Sequence, residues 1–250
     1  FSSGQQRSQI WRQSLPLVAA EDASVSAPFE STAKVEVSSA RLELMPRVVG
    51  QDLTFLSNRH GRHQIWRRHA NGNTALLAEL PVPAGFVRLS RSADGQYLAF
   101  SQGGALYVLQ IDSAICWQLL GPEDKVGVVN WHQHQLIFSS ERSGDWQLWR
   151  YQAPITPAAE ASIAGQCQAS KPNATKVTTA DVHLQQLTQQ GGYSGYLWQN
   201  QLLYSKYHQD GLFQLDLNQP QQQEQPVLTE FDRINWLNWQ LLGDQLSYFL

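Results

Sequence analysis

The chain has 250 residues, of which 42% are hydrophobic and 16% charged, and its formal net charge is −3. This composition supplies enough apolar material for a core and excludes an intrinsically disordered chain. The charge balance, with no block rich in Lys and Arg, excludes an electrostatic nucleic-acid interface. No apolar run approaches the roughly 18 residues that span a bilayer.

The chain opens in the middle of a repeated pattern, without Met and without the charged and apolar regions of a secretory leader. We therefore expect it to be a fragment of a longer protein, with any membrane anchor in a segment outside it. Its two cysteines, Cys116 and Cys167, are too few for a disulfide scaffold. One bridge would fit an oxidising compartment, and two free thiols fit equally well.

A hairpin pattern recurs along the chain. An apolar strand ends near an aromatic residue, a polar turn with Gly or Ser follows, and the next strand opens on an aliphatic–aromatic pair. The aliphatic–aromatic pairs are Ile10-Trp11, Ile65-Trp66, Leu106-Tyr107, Leu148-Trp149 and Leu212-Phe213. The aromatic residues on the first strand of each hairpin include Phe55, Phe100 and Phe138. They recur about every 40 residues, a spacing typical of propeller blades.

A further short strand precedes each hairpin and another follows it, which makes four strands per unit. The preceding strands are predicted at residues 46–49, 86–89, 126–129, 193–196 and 234–237. We expect them to be innermost, because small and β-branched residues suit the crowded ring around a propeller channel. Segments 16–32 and 153–177, rich in small and polar residues, are predicted to be inserted loops.

The fold class that follows is all-β: a β-propeller of four-stranded antiparallel blades, with five to six blades represented and partial blades at the termini. A single blade cannot bury both of its faces, so blades have to stack around an axis. We therefore treat residues 1–250 as one propeller domain.

One repeat unit carries a family resemblance. The run Ser90-Arg91-Ser92-Ala93-Asp94-Gly95-Gln96-Tyr97-Leu98-Ala99-Phe100 resembles the WD-repeat-like signature of TolB-type propellers, with Ala93 where Pro is usual. Ser57-Asn58-Arg59-His60-Gly61 and Ser140-Glu141-Arg142-Ser143-Gly144 resemble its continuation. The resemblance implies a bacterial envelope setting, the periplasm. It also implies a role as the sensor region of a CadC-like membrane transcriptional regulator.

Most conspicuous side chains have a structural interpretation. Arg59 and Arg142 occupy equivalent hairpin positions, and we expect each to tie its turn to the neighbouring blade by hydrogen bonds and stacking. Trp66 and Trp149 are expected to pack between blades. Asp94 is assigned to turn chemistry.

No catalytic or metal-binding constellation emerges from the sequence. His60 and His63 share a hairpin tip, and His132 and His134 alternate across one face near a loop, but neither pair has a nearby Cys or carboxylate to complete a metal site. The chain has no Gly-x-Ser-x-Gly elbow and no Gly-rich phosphate loop. We therefore predict a protein that is not an enzyme and that has no metal or cofactor.

Binding is expected at the mouth of the channel, where propellers usually take ligands or peptides. The polar residues near the ends of the predicted inner strands are Arg47, Arg88, Asn130, Tyr193 and Asn235. We predict a protein or peptide partner, no direct nucleic-acid contact and no membrane contact through this segment. The alternative is an N-terminal gating propeller of a prolyl-oligopeptidase-like serine peptidase, in which a separate hydrolase domain would perform the catalysis.

Overall fold

The regular elements of this chain are almost all β-strands. A computed structural model describes residues 7–12, 33–80, 87–152, 167, 183–219, 223–235, 239–242 and 245–248. Within these ranges the helical elements are two short 3-10 turns, at Pro122–Asp124 and Arg233–Asn235. Within the same ranges, no helix has the length and apolar character that a bilayer crossing requires.

In the described part of the chain, twenty strands form four four-stranded sheets and two two-stranded sheets. Blade I contains β3 (Glu43–Val49), β4 (Asp52–Ser57), β5 (Gln64–Arg68) and β6 (Thr74–Glu79). Blade II contains β7 (Leu89–Arg91), β8 (Tyr97–Gln102), β9 (Ala105–Gln110) and β10 (Ile115–Leu120). Blade III contains β11 (Val126–His132), β12 (Gln135–Ser140), β13 (Gln147–Tyr151) and β14 (Leu184–Gln186). Blade IV contains β15 (Ser194–Trp198), β16 (Gln201–Ser205), β17 (Leu212–Asp216) and β18 (Gln225–Leu228).

The two-stranded sheets lie at the ends of the chain. Half-blade N consists of β1 (Gln9–Arg12) and β2 (Lys34–Ser38), and half-blade C consists of β19 (Trp239–Leu242) and β20 (Gln245–Tyr248). All strand pairs are antiparallel and follow chain order within each sheet. The prediction of an all-β propeller with four-stranded antiparallel blades and partial terminal blades is confirmed.

The repeated aromatic residues explain why the blades stack. In each complete blade, the aromatic residue of the second strand faces the aromatic residue of the third strand. The facing pairs are Phe55 with Trp66, Phe100 with Tyr107, Phe138 with Trp149 and Tyr204 with Phe213. Each second-strand ring is at most 1% exposed, and burial of aromatic rings of this size supplies much of the apolar driving force.

The buried clusters lie between consecutive units of the array. One cluster joins half-blade N to blade I through Ile10, Val37 and Phe55. A larger cluster joins blades I and II, and it includes Ile65 and Phe100. Further clusters join blades II and III, blades III and IV, and blade IV with half-blade C. The core is therefore a series of interfaces between sheets, as expected for a repeat architecture.

The innermost strands lie side by side in the order β3, β7, β11, β15, and hydrogen bonds between blades hold this ring together. Arg47 Nε donates to the carbonyl oxygen of Leu89 at 2.6 Å, linking blades I and II. The backbone N–H of Trp131 donates to Ser90 Oγ at 2.9 Å, linking blades II and III. These contacts fix the positions of the inner-strand side chains relative to one another.

Two predicted inner strands differ from the observed ones. The strand expected at residues 86–89 begins at Leu89, so Arg88 precedes it. In the strand expected at residues 234–237, Ile234 and Asn235 belong to a 3-10 turn, residues 236 and 237 lie outside the described residues, and the first strand of half-blade C is β19. Ile234 instead lies in a 3-10 turn, because the Asp232 side chain accepts from the Ile234 N–H at 3.0 Å and so caps the turn.

The two cysteines, left open by the sequence, form a disulfide between Cys116 of β10 and Cys167, which lie 51 residues apart in sequence. Cys167 is the described residue of the predicted insertion 153–177; the rest of that segment and all of segment 16–32 lie outside the described residues. The bridge therefore ties a point between β13 and β14 to the outer strand of blade II.

Candidate functional site at the channel mouth

The candidate site lies on the face of the propeller that carries the hairpin turns between second and third strands. A cavity of about 310 Å³ opens there; we call it the channel-mouth cavity. Its lining comes from blades II, III and IV and includes Arg88, Gln102, Gly104, Gly127, Trp146 and Tyr193. The two sequence-predicted residues Arg88 and Tyr193 thus meet at one opening.

Two arginines share the polar interior of the ring. Burial lowers the pKa of Arg47, and the positive charge of Arg88 lowers it further, while the Tyr196 phenol acts in the opposite sense. Burial also lowers the pKa of Arg88, which is close enough to Tyr193 and Tyr196 to feel both phenols. Since a guanidinium stays protonated in proteins, the channel holds two neighbouring positive charges with reduced hydration.

Both tyrosines of the ring are neutral hydrogen-bonding groups. Burial raises the pKa of Tyr196 and of Tyr193, so each keeps its phenolic proton at neutral pH. Tyr196 packs edge-to-face on Trp239 of half-blade C, with ring centroids 5.0 Å apart. Two guanidinium groups and two phenols together favour a ligand that carries a carboxylate or another oxyanion.

The other predicted site residues have different positions. The Asn130 side chain donates to the Gly195 carbonyl oxygen at 3.0 Å and so bridges blades III and IV. Asn235 does not belong to the inner ring: it ends the 3-10 turn Arg233–Asn235, and its N–H donates to the Asp232 carbonyl oxygen at 2.9 Å. The prediction that Asn235 lies on an inner strand was wrong, because the Asp232 side chain just before it caps a turn and so favours the turn over an extended strand.

The repeat arginines contact residues of their own units. Arg59 Nη2 lies 3.0 Å from Glu43 Oε1, and its guanidinium carbon lies 4.5 Å from the centre of the Trp66 ring. The described contacts of Arg59 are thus within blade I, whereas the sequence interpretation placed them on the neighbouring blade. The cause is the register of β3 and β4, which pairs Glu43 with Ser57 beside the turn.

Arg142 has a similar position in blade III. Its guanidinium carbon lies 5.0 Å from the centre of the Trp149 ring, and its Nη2 lies 3.6 Å from Asp124 Oδ1 in the 3-10 turn that leads into the blade. Trp66 is 9% exposed in the cluster between half-blade N and blade I. Trp149 packs against the cluster between blades II and III.

His60 and His132, one from each predicted histidine pair, lie in different parts of the propeller. His60 packs edge-on against Trp66, with ring centroids 5.5 Å apart. His132 lines a cavity of about 380 Å³ between blades III and IV, with Arg150 also in its lining, and burial lowers the pKa of His132. In the described part of the chain, no group of three or more His, Cys, Asp and Glu is arranged to hold a metal ion.

Trp146 is the site residue that sequence reasoning missed. Its ring lies over the inner strand of blade III: a Cβ at Gly127 would be 2.8 Å from its Cζ3 atom. It also contacts Tyr193 edge-to-face at 5.0 Å and Tyr207 at 5.9 Å between ring centroids. The available signal was an aromatic residue in the turn at the position that His63 holds in blade I.

Trp146, Tyr193 and Tyr207 form a cluster of partly exposed rings, which we call the aromatic cluster; the Tyr193 and Tyr207 centroids are 4.9 Å apart. On its other side lies a second cavity of about 350 Å³ between blades III and IV, which we call the inter-blade groove. Its lining includes Asp145, Trp146, Gln147, Lys206, Tyr207 and Gln209. Trp146 is therefore shared by the channel-mouth cavity and the groove.

Comparisons with known proteins find similar solved structures, all at low sequence identity. A scan against protein-family models finds no match, and a search of curated proteins finds none either. Among solved structures, a putative TolB from Agrobacterium tumefaciens is similar with a TM-score of 0.49 and 11% identity, over 78% of this chain and 84% of that one.

Two further similar structures are β-propeller domains. The domain from the Trilobed protease of Pyrococcus furiosus gives a TM-score of 0.43 at 10% identity, over 79% of this chain and 58% of that one. The domain of Cps50 (Swd1) from Myceliophteria thermophila gives a TM-score of 0.49 at 13% identity, over 82% of this chain and 62% of that one. The chain thus spans less than two thirds of the length of these two proteins.

Proposed function

We propose that this propeller is a non-catalytic binding module, and that a protein or peptide partner docks at the channel-mouth cavity with an acidic group directed at Arg88. The observation that carries the proposal is the convergence of Arg88 and Tyr193, from different blades, on one preformed cavity of about 310 Å³. Concave sites with a few convergent polar groups are the usual places for ligands. The shared positive charge of Arg47 and Arg88 favours an anionic group there.

We further propose that the module acts in the bacterial envelope, in the periplasm, as the sensor region of a membrane-bound transcriptional regulator. The resemblance of residues 90–100 to the TolB-type repeat supports an envelope setting. The Cys116–Cys167 disulfide supports it as well, because such bonds persist in oxidising compartments. The regulator role rests on the resemblance alone, and the full-length reading frame tests it: a winged helix and an apolar span ahead of the propeller would agree with it.

The channel-mouth proposal is tested with the 250-residue chain as bait in an envelope extract, followed by affinity measurement with the identified partner. Arg88→Ala is expected to weaken binding at least about tenfold, a loss typical of a central interface arginine. Higher salt is expected to weaken binding as well, because the contact is electrostatic. The matched control is Arg41→Ala, which removes an exposed arginine away from the cavity.

Wild-type affinity in the Arg88→Ala variant would refute the channel mouth as the docking site. A hydrolase domain with a Gly-x-Ser-x-Gly elbow after Leu250 in the full reading frame would replace the sensor role with the gating role of a peptidase propeller.

A further inference from the structure

A third cavity lies on the face of the propeller that carries the turns between first and second strands, opposite the channel mouth. It is the cavity of about 380 Å³ between blades III and IV; we call it the Arg150 cavity. The described residues of its lining include one guanidinium group, that of Arg150, and no carboxylate. Burial lowers the pKa of His132, so this lining residue is neutral at neutral pH. The other polar side chains of the lining are amides: Gln133, Gln135, Gln199, Asn200 and Asn218.

The repeat provides a reference for this arginine in blades I and II. Arg67 and Arg150 occupy the same place in their blades, because each is the fourth residue of the third strand. Arg67 Nη2 lies 2.5 Å from Asp52 Oδ2 of its own blade, and its Nη1 lies 2.7 Å from Asp112 Oδ1 of blade II. Two carboxylates therefore surround the arginine at this position between blades I and II.

Both carboxylates are replaced by amides between blades III and IV. Asp52 is the first residue of β4, and Gln135 is the first residue of β12. Asp112 comes two residues after the end of β9, and Asn218 comes two residues after the end of β17. Gln135 and Asn218 both line the Arg150 cavity. The repeat thus keeps the arginine and removes its two acidic partners.

The second arginine of the blade I–II set is replaced as well. Arg91 Nη2 lies 3.9 Å from Asp52 Oδ2. Arg91 pairs with Leu98 across the inner and second strands of blade II. In blade IV, Leu197 pairs with Leu202 at the same place and lines the Arg150 cavity. The set of two arginines and two aspartates is therefore neutral, whereas its counterpart around Arg150 has one positive charge.

The described hydrogen-bond partners of the Arg150 guanidinium are neutral amides. Its Nη2 donates to Gln185 Oε1, and its Nε lies 2.6 Å from Gln152 Oε1, which accepts from it. Burial lowers the pKa of Arg150, but a guanidinium stays protonated in proteins. A partly buried charge that only neutral groups surround is unfavourable, so the cavity favours an anion beside Arg150.

The replaced side chains indicate the chemistry of this anion. They are carboxylates, and a single negative charge balances the charge of Arg150, so a monocarboxylate fits. Gln135 Oε1 is buried and has no hydrogen-bond partner among the described residues. Because an unsatisfied buried acceptor is destabilising, a hydroxyl donor on the ligand would be favourable there. Leu197 and Leu217 provide apolar contacts for the carbon skeleton.

We propose that the Arg150 cavity binds a small hydroxylated monocarboxylate, with its carboxylate beside Arg150 and a hydroxyl near Gln135. The volume of about 380 Å³ lies in the range of small-molecule sites, roughly 300–1,000 Å³. This site lies on the opposite face from the channel mouth, so the inference goes beyond the proposed docking function and does not depend on it.

The first test measures binding to the 250-residue chain by calorimetry, with lactate, gluconate and glucuronate as probes and glucose as the uncharged control. At least one of the carboxylates is expected to bind, and glucose at least about tenfold more weakly, because charge-assisted hydrogen bonds are the stronger ones. Arg150→Gln is expected to weaken carboxylate binding at least about tenfold. The matched control is Arg62→Gln, an exposed arginine in the turn between β4 and β5, which should leave binding unchanged.

A second variant keeps Arg150 and restores its internal counterion. Gln135→Asp introduces the carboxylate that blade I has at Asp52, so we expect the new side chain to pair with Arg150. Carboxylate binding should then weaken at least about tenfold. The midpoint of thermal unfolding should not fall, because blade I accommodates the same pair. This variant tests the site even if Arg150→Gln does not fold.

The inference is overturned if none of the three carboxylates binds, or if glucose binds as tightly as they do. Glucose 6-phosphate binding without any of the carboxylates would also overturn it. Wild-type carboxylate affinity in folded Arg150→Gln or in Gln135→Asp would do the same. Carboxylate binding that is lost in Arg88→Ala but kept in Arg150→Gln would place the anion at the channel mouth, so the inference would fall and the proposed function would stand.

Discussion

Single residues set the geometry of the turns in this propeller. In the turn before β8, Ser92 Oγ donates to Asp94 Oδ1 at 2.6 Å, and the Gln96 N–H donates to the same oxygen at 3.0 Å. Gly95 follows with a φ of +75°, a conformation that glycine adopts without strain. The turn of the repeat signature is thus a hydrogen-bonded unit that carries the chain from the inner strand to the second strand.

These hydrogen bonds hold the pKa of Asp94 below its usual value, with the Ser92 hydroxyl as the main cause and the Gln96 N–H second. A carboxyl whose pKa falls on folding stabilises the folded state above its unfolded pKa of about 3.9, and this stabilisation is lost as the pH falls through the lower folded pKa. We expect Asp94→Ala to lower the free energy of unfolding by about 1 kcal/mol at pH 7.

The difference between wild type and Asp94→Ala should shrink as the pH approaches about 3, because the protonated carboxyl is a weaker acceptor. Urea unfolding of both proteins at several pH values measures this difference in the free energy of unfolding. Glu230→Ala, which removes an exposed carboxylate, serves as the control. A deficit in the Asp94→Ala variant that is constant over this pH range would contradict the explanation.

At the scale of elements, the disulfide joins two segments that belong to different blades. Cys116 is fully buried in β10 of blade II, and Cys167, 4% exposed, lies on the connection between β13 and β14 of blade III. The Cys167 N–H also donates to the Glu79 carbonyl oxygen of blade I at 3.5 Å. Cys167 is therefore held against the outer strands of two earlier blades.

We expect the double variant Cys116→Ala with Cys167→Ala to lose about 2–4 kcal/mol of stability, because a bridge across 51 residues restricts the unfolded chain. Thermal unfolding with and without dithiothreitol provides the matched comparison. Reductant should lower the midpoint of the wild type and leave that of the double variant unchanged. Equal midpoints for oxidised and reduced wild type would show that the bridge adds no stability.

At the scale of the whole molecule, stability is distributed over interfaces between neighbouring sheets. A complete blade has a neighbour on each face, and the cluster between blades II and III is larger than the one between half-blade N and blade I. In such arrays, stability is close to a sum of unit and nearest-neighbour terms. Disruption at an interior interface should therefore affect more of the molecule than disruption near an end.

Two equivalent phenylalanines test this distribution with the same substitution. Phe138 and Phe55 are both fully buried, and each faces a tryptophan across its hairpin. We expect Phe138→Ala to cost about 3–5 kcal/mol and to lower protection from hydrogen exchange in blades II, III and IV. Phe55→Ala should lower protection mainly in half-blade N and blade I. Uniform loss of protection in both variants would indicate a single cooperative unit instead.

The local hairpin pattern by itself predicted the blades. Pairs such as Ile65-Trp66 and Leu148-Trp149 mark strands whose partners lie a few residues away, so alternation and turn residues suffice to identify them. The same local reasoning failed at Asn235. The apolar residue before it, Ile234, suggested a strand, but the Asp232 side chain accepts from the Ile234 N–H and caps a turn instead. Arg47, Arg88 and Tyr193 could be chosen because polar side chains stand out at the ends of otherwise apolar strands.

The sequence determined the fold class and the repeat unit, because hairpin pairing is a short-range property of alternating apolar residues and turns. Only the tertiary structure decided the site. Arg88, Trp146 and Tyr193 belong to three different blades and meet because the sheets stack around one axis. The disulfide and the ion pair between Lys206 and Glu224 depend in the same way on contacts between segments distant in sequence. The periodicity of the sequence does not predict such contacts, because they arise from the packing of whole blades.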